Sequence, residues 1–332
     1  MSCFTDIGPG QQGWSEQHER GAELSTDVSR PARRTMLAAG AGSVLAACTS
    51  SAGDKPPSPS GHRSQDAATT RRLKNLEREH DARLGVFAHN TRTGRTVIHR
   101  ADERFPMCST FKPLAVAAVM KDRDGDGGRP LDERIRYSRS DLEAHSPVTG
   151  TSRHLAEGMT LRELCDAAIR HSDNTAANLI LRELGGPTAV TRFCRSLGDE
   201  VTRLDRWETE LNSAEPGNVK DTTSPRAIGR TYMRLTLGDV LGRAGRRQLT
   251  DWLKRNTTGD ESLRAGLPEG WTVGEKTGAG EYGTHNDVGV AWTAHGREPV
   301  VLAVLTTKKS ADAEPDRALI AKTARLLAPA LT

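Results

Sequence analysis

Strand-like segments fall at both ends of this chain's folded part, with only helical pattern between them, and that arrangement restricts the fold more than any other feature. "LGVFAHN" (84–90) and "TVIHR" (96–100), joined through a Thr-Gly turn, read as a hairpin. Near the end, "WTVGEKTG" (271–278), "DVGVAWTA" (287–294) and "PVVLAVLTT" (299–307) read as three more strands, followed by a helix from about Glu314. The helical stretches between include "TLRELCDAAIR", with Leu161, Leu164, Cys165, Ala168 and Ile169 on one face behind a Thr160/Glu163 capping box. "NTAANLILREL", "PTAVTRFCRSLG" with Pro187 and Gly198 at its two ends, "SPRAIGRTYMRL" and "RRQLTDWLKRN" continue the block. The expectation is an α+β fold: one five-stranded antiparallel sheet built from both chain ends and packed with helices, plus an inserted all-helical part. The α/β part would be about 71–105 and 257–332, and the helical part about 106–256.

The first 70 residues read differently. Arg33 and Arg34 precede an apolar run from Met36 to Ala47, too short to span a bilayer, and "LAAC" (45–48) follows it. The pair resembles a twin-arginine export signal, and "LAAC" resembles the box at which bacteria attach lipid to a cysteine, here Cys48. Residues 1–48 are therefore expected to direct export. Residues 49–70, rich in Ser, Pro and polar side chains, read as a tether, leaving a folded domain at 71–332. An exported lipoprotein held at the cell membrane, facing outward or into the periplasm and partly secreted, is the expected location.

Cys108, Cys165 and Cys194 are an odd number without paired spacing, so free thiols are expected. No Cys/His cluster has metal-ligand spacing, and no metal or cofactor is expected. The net charge of +4 comes from scattered arginines, and only 4% of residues are aromatic, which argues against nucleic acid as a partner.

Three short motifs carry the chemistry. In "MCSTFKPLAVAAVMK", Ser109 and Lys112 stand one helical turn apart, close enough for an amine to touch a hydroxyl. Alone, the pair is better described as a lysine that caps the first turn and snorkels from a helix start. "HSDNTAAN" puts Ser172, Asp173 and Asn174 in a break between helices, where N-capping would also explain them. Lys276, Thr277 and Gly278 end a strand. Taken in this order, Ser-x-x-Lys, Ser-Asp-Asn and Lys-Thr-Gly form the signature shared by class A β-lactamases and penicillin-binding proteins. "RWETELN" (206–212) is similar to the β-lactamase segment in which a glutamate and an asparagine hold a hydrolytic water. From about Arg71 to Leu331 the chain resembles a class A serine β-lactamase.

The resemblance implies hydrolysis of the β-lactam ring of penicillin- or cephalosporin-type antibiotics through an acyl-serine, and hence antibiotic resistance. It makes Ser109 the nucleophile, Lys112 or Glu208 the base that takes its proton, and Ser172 the relay to the departing nitrogen. The backbone N–H groups of Ser109 and Ala279 would form the oxyanion hole. Asn174 would hold the substrate's side-chain amide, Lys276 and Thr277 its carboxylate, and Glu208 with Asn212 the water. Gly278 and His145 would line the substrate site, and Arg206 with Asp221 would close an Ω-shaped loop. The partners implied are β-lactams and water, in a monomer that meets the membrane only through its lipid.

Several positions depart from the family pattern. His145 stands where an aromatic rim residue is usual, and His285 and Ser262 stand where relatives supply an arginine for the substrate carboxylate, with Arg317 a possible substitute. Both histidines are open to a second reading as solvated surface residues. The partner position of a disulfide that Cys108 forms in some relatives is Gly280, so no bridge is expected there. The alternatives left open are a penicillin-binding D-Ala-D-Ala peptidase and a non-hydrolytic penicillin-binding lipoprotein.

Overall fold

The computed structural model describes residues 59–123, 130–294 and 299–331, with side chains from Ala67 onward. Arg33, Arg34 and Cys48, and with them the expected export segment, lie outside the described residues. Helix α1 (Pro59–Glu79) precedes strands β1 (Arg83–Asn90), β2 (Thr96–His99) and the two-residue β3 (Phe105–Pro106). A 3-10 turn at Cys108–Phe111 runs into α2 (Lys112–Arg123). The middle of the chain holds β4 (Arg134–Ile135), α3 (Ser152–Glu157), β5 (Met159–Thr160), α4 (Leu161–Arg170), α5 (Asn174–Glu183), α6 (Thr188–Ser196), β6 (Thr222–Thr223), α7 (Pro225–Leu237) and α8 (Arg243–Lys254). Then come α9 (Leu263–Gly266), β7 (Thr272–Gly280), β8 (Thr284–Trp292), β9 (Pro299–Thr307) and α10 (Arg317–Leu331).

The main sheet has five strands in the order β2-β1-β9-β8-β7, all antiparallel. Strand β9 joins the two chain ends, since Ala303 pairs with Phe87 on one side and Val288 on the other. Alternate residues of β1 and β9 face opposite cores. Leu84, Val86, Leu302 and Val304 pack with Leu319 and Leu327 of α10, whereas Phe87, Val301 and Ala303 pack with α7 and the helical block. Both faces are covered, so these strands read as continuous apolar runs. Helix α7 lies directly on the sheet because Gly229 has no side chain; a Cβ there would sit 2.6 Å from the Phe87 ring. Although its sequence groups it with the helical part, α7 is a layer on the sheet, and the helical block shares one continuous core with that face.

The capping box of α4 forms as expected: Glu163 Oε2 accepts from Thr160 N at 2.7 Å, and Thr160 Oγ1 accepts from Glu163 N at 3.2 Å. Two boundaries differ. Helix α1 begins at Pro59, inside the stretch read as a tether. Its later part is rich in helix formers, Leu73 is fully buried, and Glu77 Oε1 accepts from Leu84 N at 2.9 Å, which ties its last turn to β1. Helix α10 begins at Arg317, three residues after Glu314, because Asp316 Oδ1 caps it by accepting from Leu319 N at 2.9 Å.

Candidate active site

Ser109 lies in the 3-10 turn ahead of α2, not within the α-helix itself. Three distant elements hold that turn. Asn286 of β8 donates through Nδ2 to Pro106 O (2.9 Å) and Met107 O (3.2 Å), Tyr232 of α7 donates to Thr110 O at 2.7 Å, and Met107 N donates to Asp221 O at 2.9 Å. Strand β7 passes close alongside. A Cβ on Gly278 would lie 3.0 Å from Met107 O and 3.1 Å from Ser109 N, crowding the turn, so glycine lets the strand run this close, with Ala279 exposed one residue further on.

Around Ser109 a buried network forms. Its hydroxyl donates to Glu208 Oε1 at 3.3 Å. Lys112 Nζ lies 3.1 Å from the same oxygen and donates to Ser172 O (2.7 Å), Ser172 Oγ (3.3 Å) and Asn174 Oδ1 (2.6 Å). Lys276 Nζ reaches Ser172 Oγ from the other side at 3.1 Å and donates to Thr277 O at 2.8 Å. Ser172 thus stands between two lysines. Burial lowers the proton affinity of Lys112, with Glu208 opposing the effect. Lys276 is lowered in the same direction, first by burial and then by the charge of Lys112. A snorkelling Lys112 is ruled out, because its side chain has no exposed surface.

The segment 205–221 places Glu208. Asp221 Oδ1 accepts from Asp205 N (2.7 Å) and Arg206 N (3.0 Å), and its Oδ2 meets Arg206 Nε at 2.6 Å, closing the loop at its neck. Asn212 Nδ2 donates to Glu208 Oε2 at 2.6 Å. Asn178, which the sequence reading missed, clamps the Glu208 main chain: Glu208 N donates to its Oδ1 at 2.9 Å and its Nδ2 donates to Glu208 O at 2.8 Å. The available signal was spacing, since Asn178 stands one helical turn after Asn174 on α5 and shares its face.

The other expected residues fall into place with different partners. Asp173 is the N-cap of α5 and also accepts from Val148 N and Thr149 N, both at 3.0 Å, so the capping explanation holds for it. Asn174 donates one amide hydrogen to Ala144 O at 2.7 Å, leaving the second for a ligand. His145 is exposed beside it: its carbonyl accepts from Asn174 N at 3.1 Å, and its Nε2 lies 3.1 Å from His171 O. His285 corrects the surface reading. Its side chain is buried against Ser262 Oγ at 2.9 Å, and burial, with the charge of Arg317, pushes its pKa down to about 4. A neutral His285 cannot stand in for an arginine. Cys108, Cys165 and Cys194 are free and buried, and a Cβ on Gly280 would come within 2.8 Å of Cys108 Sγ. Among the described residues no group of side chains could hold a metal ion. A cavity of about 990 Å³ opens elsewhere, between the start of β1 and residues 214–219; it contains neither Ser109 nor any other residue of this network.

A buried network of two serines, two lysines and a glutamate, at the junction of an antiparallel sheet and a helical block, defines a penicillin-recognising serine acyl enzyme. The sequence matches the model of the Beta-lactamase enzyme family over residues 68–331. It is 58% identical to a β-lactamase of Streptomyces fradiae across 93% of this chain and 100% of that one. It is 56% identical to a β-lactamase of Streptomyces lavendulae, again across 93% and 100%. The solved β-lactamase of Streptomyces albus G superposes with a TM-score of 0.77 at 60% identity, covering 80% of this chain and all of that one. An ancestral class A β-lactamase gives a TM-score of 0.75 at 53% identity, covering 79% and 100%. The chain belongs to the class A β-lactamases. It is a serine hydrolase that opens the β-lactam ring.

Proposed function

We propose that Ser109 Oγ attacks the lactam carbonyl carbon while its proton passes into the Glu208–Lys112 pair. The backbone N–H groups of Ser109 and Ala279 receive the oxyanion. When the C–N bond breaks, the ring nitrogen takes the Ser172 hydroxyl proton, which Lys112 or Lys276 replaces. Water held by Glu208 and Asn212 then attacks the ester, Glu208 takes its proton, and Ser109 leaves with a proton returned through the same network. Asn174 binds the side-chain amide of the substrate, and Lys276 with Thr277 its carboxylate. Gly278 and His145 border the cleft. The Arg206–Asp221 pair holds the loop.

The observation that carries this reading is Glu208, whose two carboxylate oxygens are divided between Ser109 at 3.3 Å and Asn212 at 2.6 Å. A penicillin-binding protein that stalls as its penicilloyl ester lacks such a base for the water. Ser109's proton has two acceptors nearby, Glu208 and Lys112, whereas the water has only Glu208. Glu208→Ala should therefore still be acylated by benzylpenicillin and then hold the adduct in an intact-mass spectrum, whereas Ser109→Ala should gain no mass. Parental turnover by Glu208→Ala would end this assignment.

The finer location belongs to the same proposal: export by residues 1–48, a lipid on Cys48, a link from it to α1, and a monomeric domain. No helix among the described residues is long and apolar enough to cross a membrane, so attachment would rest on the lipid. Cys48→Ala should shift the protein from the membrane fraction to the soluble one, and an unchanged partition would refute the anchor.

A further inference from the structure

Behind Thr277, on the sheet face opposite Lys276, a line of buried polar groups runs inward that the hydrolytic cycle does not use. Thr277 Oγ1 lies 2.5 Å from Thr258 Oγ1. Thr258 Oγ1 donates to Asn256 Oδ1 at 3.0 Å, and Asn256 Nδ2 donates to Glu275 Oε2 at 2.8 Å. Glu275 ends the line beside Asp287, whose Oδ2 accepts from Leu263 N at 3.0 Å. Glu275 and Asp287 are fully buried and Asn256 nearly so. Gly259 leaves the room for this carboxyl, since a Cβ there would collide with it.

Donor and acceptor roles along the line can be assigned from its buried end. Arg264 Nη2 pairs with Glu275 Oε1 at 3.0 Å, which makes Glu275 the charged member of the carboxyl pair and leaves the shared proton on Asp287. Burial holds both carboxyls above the ordinary range, Asp287 the further, which fits one proton between two acids. An ionised Glu275 accepts only, so Asn256 must turn its NH2 toward it and its oxygen toward Thr258. Asn256 Oδ1 then takes the single hydroxyl hydrogen of Thr258. Asn256 Oδ1 also accepts from Thr258 N at 3.3 Å, and with the Thr258 hydroxyl hydrogen committed to the shorter 3.0 Å bond the consistent donor in the 2.5 Å contact is Thr277. Its hydrogen points away from the cleft and its lone pairs face a ligand.

We propose that Glu275, Asn256 and Thr258 are positioning residues that hold the Thr277 hydroxyl in this inward orientation and so weaken its hold on the substrate carboxylate. The inference rests on the role proposed above for Thr277. A carboxylate needs a donor, and it must first draw the Thr277 hydrogen away from Thr258. Removing that acceptor should make the subsite stronger.

The test is Thr258→Val, which keeps the shape and deletes the acceptor, with kcat and KM measured on benzylpenicillin. A hydrogen bond to a charged group is among the stronger kind, so KM should fall about three- to tenfold with kcat within about twofold. Thr258→Ser, which restores the hydroxyl, should return KM to the parental value. In a Thr277→Val background, Thr258→Val should change nothing, because the hydroxyl it frees is gone. A rise or no change in KM for folded Thr258→Val, or the same fall in the Thr277→Val background, would overturn the relay. Thr277→Val alone reads the premise: it should raise KM, and if it does not, the carboxylate role of Thr277 fails and the relay with it.

Discussion

Asn178→Ala offers the sharpest test of how the loop presents its glutamate. The substitution deletes both hydrogen bonds to the Glu208 main chain, at 2.9 and 2.8 Å, without touching its carboxylate. Glu208 is 2% exposed, so water does not freely replace the lost partners. Each bond is worth about 0.5–1.5 kcal/mol net, and a main-chain group left unpaired costs about 1–3 kcal/mol, so the two together should destabilise the fold by about 2–4 kcal/mol. The kinetic effect should be larger. Misplacing a catalytic group by about 1 Å can cost about 10²-fold, and on the proposed assignment the displaced group is the base for the water. With a chromogenic cephalosporin in a stopped-flow instrument, the variant should show a burst equal to the enzyme concentration and then a slow steady state. The acyl-enzyme should appear at the same time in an intact-mass spectrum. A variant with the parental steady-state rate and no burst would show that the Asn178 clamp does not position Glu208.

Asp221→Asn should loosen the neck of the loop, because one amide oxygen cannot replace two carboxylate oxygens that serve Asp205 N, Arg206 N and the Arg206 guanidinium. Breaking such a buried pair costs about 3–5 kcal/mol, and faster amide exchange across 206–215 with slower penicillin hydrolysis is expected; unchanged exchange would refute it. Asp287→Asn should be more stable than the parent at neutral pH and lose that advantage toward pH 4. Burial raises the acid's pKa in the folded state, so the parent's stability is highest below the unfolded carboxyl pKa and falls as pH rises, by up to about 1.4 kcal/mol per unit; parallel melting profiles for the two proteins would refute it. The methyl ester of benzylpenicillin should lose kcat as well as affinity, and a loss confined to KM would contradict the coupling argued below.

The residues that sequence made legible are those whose chemistry depends on local spacing. Ser109 and Lys112 share a turn, Ser172 and Asn174 a helix break, and Lys276 and Thr277 a strand end; the fold joins them through the two lysines in one network with Glu208. The five sheet strands were legible because period and composition agree. What escaped acts on main-chain atoms far away in sequence. Asn178 holds the Glu208 main chain through two bonds, Asn286 holds Pro106 and Met107, and Tyr232 holds Thr110, and nothing in their own neighbourhoods marks them. His285 escaped for a related reason. In β8 the stretch Thr284–Ala291 is buried throughout, polar residues included, so alternation cannot tell a solvated face from one covered by α9. Only the covering chain, with Ser262 on His285 and Leu263 N on Asp287, reveals that burial.

With His285 neutral, recognition of an anionic substrate falls to Lys276 on the proposed assignment, and that lysine does not hold its proton firmly. Burial and the nearby Lys112 both oppose its charge. A carboxylate arriving beside it reverses the balance and favours protonated Lys276. Two lysines that share Ser172 titrate together, so a proton fixed on Lys276 makes a second on Lys112 harder to keep. Neutral Lys112 is the form able to take a proton on the way from Ser109 to the departing nitrogen. On the proposed assignment the substrate's own charge would thus prepare the base that its ring opening requires. An ester that binds through the rest of the molecule would forgo that preparation, and its defect would appear in the rate of acylation as well as in binding.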